Sequence, residues 1–124
     1  MRSVFRAVCL VGAAMTMGGA AVEAQPTVAV SGLWQTQFAG AAATVSLTQS
    51  GPNVIGTYVN TPPLMPGAMA GVLRGNVLTG RWTDASSSGG FTLVFSPNGR
   101  SFAGTWGRSI TSVSDGGPWV GTRQ

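Results

Sequence analysis

Arg74-Gly75-Asn76-Val77-Leu78-Thr79-Gly80-Arg81-Trp82 begins with residues suited to a tight turn and continues as an alternation. Leu78, Gly80 and Trp82 share one parity, and Thr79 and Arg81 take the other. That is the period of a strand with one buried face. Its Gly-x-aromatic end recurs at a strict interval of 24 residues, as Gly32-Leu33-Trp34, Gly56-Thr57-Tyr58, Gly80-Arg81-Trp82 and Gly104-Thr105-Trp106. Self-similarity on this scale marks a chain that repeats one supersecondary unit.

The same alternation runs through Thr44-Val45-Ser46-Leu47-Thr48 and Phe91-Thr92-Leu93-Val94-Phe95. Gly51-Pro52-Asn53, Arg74-Gly75-Asn76 and Pro97-Asn98-Gly99 punctuate the chain as hairpin turns do. The pattern predicts strands over residues 30–37, 42–49, 53–60, 67–73, 76–83, 90–96, 100–107 and 117–123. Eight sequential antiparallel strands remove their exposed edges by closing on themselves. The expected fold is therefore all-β, an antiparallel up-and-down eight-stranded barrel with a meander order, with residues 25–124 as its single domain. A parallel β-helix satisfies the same period, but hairpin turns at alternate junctions favour the barrel.

The connections after strands two, four and six read as tight. Those after the odd-numbered strands include Thr61-Pro62-Pro63-Leu64-Met65-Pro66, residues 84–89 and residues 108–117. In an up-and-down barrel the odd connections share one end, so the longer loops should surround one mouth. Trp34, Tyr58, Trp82 and Trp106, late in strands one, three, five and seven, should gather there, joined by Trp119 early in strand eight. The shared parity of glycine and ring turns that tier inward. Glycine beneath each ring lets a strand coil sharply and a neighbouring aromatic lie over bare backbone. It also leaves room for a small apolar or planar ligand.

Gly32-Leu33-Trp34-Gln35-Thr36-Gln37, Gly56-Thr57-Tyr58 and Val77-Leu78-Thr79-Gly80-Arg81-Trp82 resemble the opening strands of the avidin and streptavidin family. These are secreted eight-stranded barrels that bind biotin with tryptophans and ring-facing polar groups. The resemblance implies that Tyr58 matches a tyrosine that hydrogen-bonds the biotin head group. The family's asparagine two residues after the first tryptophan is Thr36 here.

Residues 1–24 carry the zones of a secretory signal: basic Arg2 and Arg6, a small and apolar stretch, and Val22-Glu23-Ala24 as an A-x-A-like cleavage site. The apolar stretch is short of the roughly 20 residues of a membrane span and is broken by Thr16 and Gly18-Gly19. An exported protein, periplasmic or extracellular, is expected. Cys9 lies within the signal, which leaves the barrel without a cysteine for a disulfide.

Residues 25–124 contain no histidine, lysine or glutamate, and their acids are Asp84 and Asp115. General acid-base and nucleophilic mechanisms draw mostly on the missing types, so no catalytic residues are assigned. Asp84-Ala85-Ser86 and Ser114-Asp115-Gly116 read as turns. No metal site or cofactor is implied. Arg74, Arg81, Arg100, Arg108 and Arg123 are scattered, unlike the dense basic stripe of a nucleic-acid interface. The predicted strands are short for a transmembrane barrel, and their outer parity carries Thr44, Ser46, Thr48, Thr79, Arg81 and Thr105. A soluble protein is expected.

Two functions fit. One is a binding barrel for a small aromatic, apolar or sugar-like ligand, with Trp34, Tyr58, Trp82, Trp106 and Trp119 as stacking walls and Thr36, Asn60 or Arg108 as polar anchors. The other is a non-catalytic protein-interaction or envelope accessory module, inhibitor-like, with a packed barrel core, whose loop of Pro62, Pro63, Leu64 and Met65 engages a protein partner.

Overall fold

The computed structural model describes residues 25–38, 40–60 and 66–124. The predicted signal segment and the Pro62, Pro63, Leu64 and Met65 loop lie outside the described residues, as does the side chain of Asn60. The strands are β1 Gly32–Phe38, β2 Ala41–Ser50, β3 Asn53–Asn60, β4 Pro66–Arg74, β5 Val77–Asp84, β6 Ser88–Phe95, β7 Ser101–Trp106 and β8 Gly117–Arg123. Each pairs antiparallel with its successor, and β8 returns to β1 to close the barrel. No helix among the described residues is long and apolar enough to cross a membrane.

Alternation decides the two faces. In β2, Ala43, Val45 and Leu47 are buried while Thr44, Ser46 and Thr48 are exposed. Gly51 and Gly75 take φ of 58° and 60° in the turns that follow β2 and β4, a left-handed backbone that glycine adopts without steric cost. Two connections differ from the sequence expectation. After β1 ends at Phe38, β2 begins at Ala41 and the two residues pair, so no long loop borders the mouth there. The one after β6 spans 96–100 and is pinned by the Ser96 hydroxyl, which accepts from the backbone N–H groups of Arg100 at 3.2 Å and Ser101 at 3.1 Å.

Bare backbone lets adjacent strands coil around the small interior. A Cβ on Gly80 would lie 2.0 Å from the Ala70 carbonyl oxygen, and one on Gly104 would lie 2.0 Å from that of Thr92. The inward residues form one core that includes Leu47, Leu73, Leu78, Phe91, Leu93, Phe95 and Phe102.

The end opposite the mouth is closed by residues 25–31. The Thr27 N–H donates to the Gly75 carbonyl at 2.9 Å, and the Gly75 N–H donates to that of Gln25 at 2.9 Å. Val30 is fully buried, and its N–H is taken by the Gln49 side chain at 2.8 Å.

Candidate functional site: an aromatic pocket at the barrel mouth

The odd-numbered strands end, and the even-numbered ones begin, around a pocket of about 360 Å³. Phe38 lines it from the end of β1, Tyr58 from β3, Trp82 and Asp84 from β5, and Trp106 from β7. Ser87 and Arg108 contribute from the connections after β5 and β7, and Trp119 from the start of β8.

The rings contact one another through edges and faces. Trp82 meets Trp106 at 5.8 Å between centroids, and Phe38 meets Tyr58 at 6.3 Å and Trp119 at 5.3 Å. Trp119 reaches deepest, contacting Phe91 at 5.9 Å and Phe102 at 6.2 Å. Glycine makes this packing possible, since a Cβ on Gly67 would fall 2.2 Å from the Tyr58 ring and one on Gly116 would fall 2.3 Å from the Trp106 ring.

Of the predicted site residues, the structure brings Tyr58, Trp82, Trp106, Arg108 and Trp119 to the pocket. Trp34 is not there. It lies in the closed end, fully buried against Phe95 and Phe102, with its indole N–H donated to the Val30 carbonyl at 3.0 Å. Thr36 faces inward but does not line the pocket, and its hydroxyl is spent on the Ala43 carbonyl at 3.0 Å.

The reason is strand tilt. Trp34 pairs with Val45, Val45 with Tyr58, Tyr58 with Gly67, and Gly67 with Asp84. On its other side Trp34 pairs with Arg123, the last residue of β8. One hydrogen-bonded row thus climbs from the closed end at Arg123 to the mouth at Asp84. Trp82 precedes Asp84 by two residues and so drops back toward the level of Tyr58. Trp34 shares the row of Tyr58 without such a step, so it sits lower, and Phe38 takes the place expected for it.

The polar groups divide into satisfied and unsatisfied ones. Trp82 donates its indole N–H to the Gly107 carbonyl at 3.0 Å, tying β5 to the last connection. Asp84 Oδ1 accepts from the backbone N–H groups of Ser86 and Ser87, each at 2.9 Å, and from both hydroxyls. Burial pulls the Asp84 carboxyl up, but these hydrogen bonds outweigh it and hold the group below its ordinary value. Burial, aided by the negative charge of Asp84, pushes the Tyr58 hydroxyl up to about 12. Asp115 is lowered by the Arg108 backbone N–H, which it accepts at 2.6 Å, and by the Ser112 hydroxyl at 2.7 Å.

By contrast, the indole N–H groups of Trp106 and Trp119 are buried without a hydrogen-bond partner among the described residues. Buried donors left in this way cost about 1–3 kcal/mol each and are uncommon. Among the described residues, no group of three His, Cys, Asp or Glu side chains could hold a metal ion.

Comparison with protein-family models, curated proteins and solved structures gave no match.

Phe38, Asp84 and Ser87 were not among the residues predicted to line the site. Phe38 carries a signal, because it continues the inward parity of Trp34 and Thr36 to the end of the strand. Asp84 likewise continues the parity of Gly80 and Trp82, and it combines the expected turn role with a place in the wall. Ser87 has no comparable pattern.

Proposed function

We propose that this chain is a non-catalytic binding protein that takes a small, flat, largely apolar ligand into the aromatic mouth of its barrel. The observation that carries the reading is a pocket of about 360 Å³ walled by the rings of Phe38, Tyr58, Trp82, Trp106 and Trp119. Pockets of this size, apolar with a few convergent polar groups, suit small molecules. A flat ligand seated among these rings would bury its own apolar surface.

The resemblance to the avidin family adds a candidate. Tyr58 lines the pocket, which supports a role in contacting a polar head group. Thr36, which replaces the family's asparagine, is committed to Ala43 instead, so biotin is one member of a test panel and not the expected best ligand. The leader-like pattern of residues 1–24 supports action outside the cytoplasm, in the periplasm or beyond.

Intrinsic tryptophan fluorescence of the protein beginning at Gln25, titrated with flat aromatics, biotin and sugars, tests the reading. A saturable change with at least one flat compound, weakened in Trp106→Leu, is expected. No change with any compound would sink it.

A further inference from the structure

Arg108 holds its positive charge at the pocket wall, and among the described residues its terminal nitrogens make no hydrogen bond. Its backbone N–H donates to Asp115 Oδ1 at 2.6 Å, and its Nε donates to the Asp115 carbonyl at 3.3 Å. Its guanidinium carbon stands 5.5 Å from the centroid of the Trp106 ring. Asp115 Oδ1 is occupied by the Arg108 backbone N–H and the Ser112 hydroxyl, and the attraction between the Asp115 charge and the Arg108 guanidinium is a smaller contribution behind those bonds. The other carboxylate of the mouth, Asp84, caps its own turn through Ser86 and Ser87. The fork is therefore positioned from behind by Asp115 and supported by an aromatic face, with its Nη donors free of hydrogen bonds among the described residues. A planar guanidinium arranged this way suits a bidentate carboxylate.

We infer that the ligand class of the mouth pocket is the small aromatic carboxylic acid. Its ring would lie among Trp82, Trp106 and Trp119, and its carboxylate would meet Arg108. The inference rests on the pocket reading given above and adds a charge requirement to it. The protonated Tyr58 hydroxyl, on a residue that lines the same pocket, suits such a ligand because it can donate to an acceptor.

Calorimetric titration with naphthoate and with its uncharged isostere naphthamide separates the two levels. The acid should bind at least roughly tenfold more tightly than the amide, the scale of a charge-assisted hydrogen bond at a partly open site. In Arg108→Gln the ratio of acid to amide affinity should fall to near one, and in Arg108→Lys it should take an intermediate value, because a point charge lacks the bidentate fork. Raising the salt concentration should weaken the acid selectively.

Equal binding of acid and amide by the unaltered protein would overturn the carboxylate inference and leave the aromatic pocket standing. A preference for the acid that survives in Arg108→Gln would overturn the assignment to Arg108. Loss of both probes in both variants would make Arg108 a support for Trp106 and would overturn it as well. Failure of both probes with the unaltered protein would remove the pocket reading together with the inference.

Discussion

The Arg123 guanidinium carbon lies 4.8 Å from the centroid of the Trp34 ring, at the end of the barrel opposite the pocket. The same guanidinium donates to the carbonyls of Ala29, Ser31 and Gly99, so one side chain joins β8, the entering strap and the connection after β6. Trp34 in turn holds the strap through Val30. The pair closes the barrel with a charged donor on an aromatic lid, where a larger protein would use more apolar chain.

Arg123→Ala should therefore destabilise the fold by about 3 kcal/mol, from lost charge-assisted hydrogen bonds and lost cation–π contact. Arg123→Lys should recover less than half, since an ammonium cannot serve three separated carbonyls and a ring together. Urea unfolding measures both. A loss in Arg123→Ala no larger than that of an ordinary surface arginine would show that the strap closes the barrel without it.

The close approach at Gly80 makes a harder prediction. An added Cβ would meet the Ala70 carbonyl oxygen at 2.0 Å, a backbone atom that cannot swing aside. Gly80→Ala should cost more than about 3 kcal/mol or prevent folding, as severe overpacking does. Gly51→Ala is the control, because nothing lies near its Cβ and only its positive φ opposes the change. It should cost about 1 kcal/mol. Comparable melting temperatures for the two variants would contradict the coiling role of the inward glycines.

Faces were legible in the sequence, and heights were not. The shared parity of Gly56 with Tyr58, Gly80 with Trp82 and Gly104 with Trp106 is enough to turn all three rings inward. Their level along the barrel axis depends on register, which the turns set. The two-residue connection after β1 keeps Trp34 on the row of Tyr58 and thereby leaves it at the closed end. A difference of one or two turn residues is within what alternation alone can absorb, so the sequence pattern puts Trp34 at the mouth and assigns Phe38 no height. The unpartnered N–H groups of Trp106 and Trp119 have no sequence signature, because satisfaction of a donor is decided by three-dimensional neighbours.

Trp82 should matter to the last connection as much as to the pocket. Its N–H to the Gly107 carbonyl is the side-chain bond that ties β5 to residues 107–116. Trp82→Phe keeps an aromatic wall but leaves that carbonyl without this donor, at about 1–2 kcal/mol. Amide exchange from Arg108 through Asp115 should quicken while exchange in β2 and β3 stays slow. Uniform quickening would mean that Trp82 serves general packing and not the anchoring of this loop.

Tyr58 is the single tyrosine of the chain, so phenolate absorbance reports on it alone. Its pKa is raised from 10.0 to about 12, by burial first and by the charge of Asp84 second. A raised acid favours the folded state while both states are protonated. That contribution is whole below pH 10.0, where unfolded tyrosine begins to ionise, and is lost as the pH rises toward 12. The absorbance midpoint of the folded protein should lie near 12, and unfolding free energy should decline across the same interval. Asp84→Asn removes the repelling charge and should move the midpoint down by less than the full shift, because desolvation remains. A midpoint near 10.0 in a protein still folded by far-ultraviolet dichroism would show that the hydroxyl opens to water, and that the floor of the pocket is wetter than its ring contacts imply.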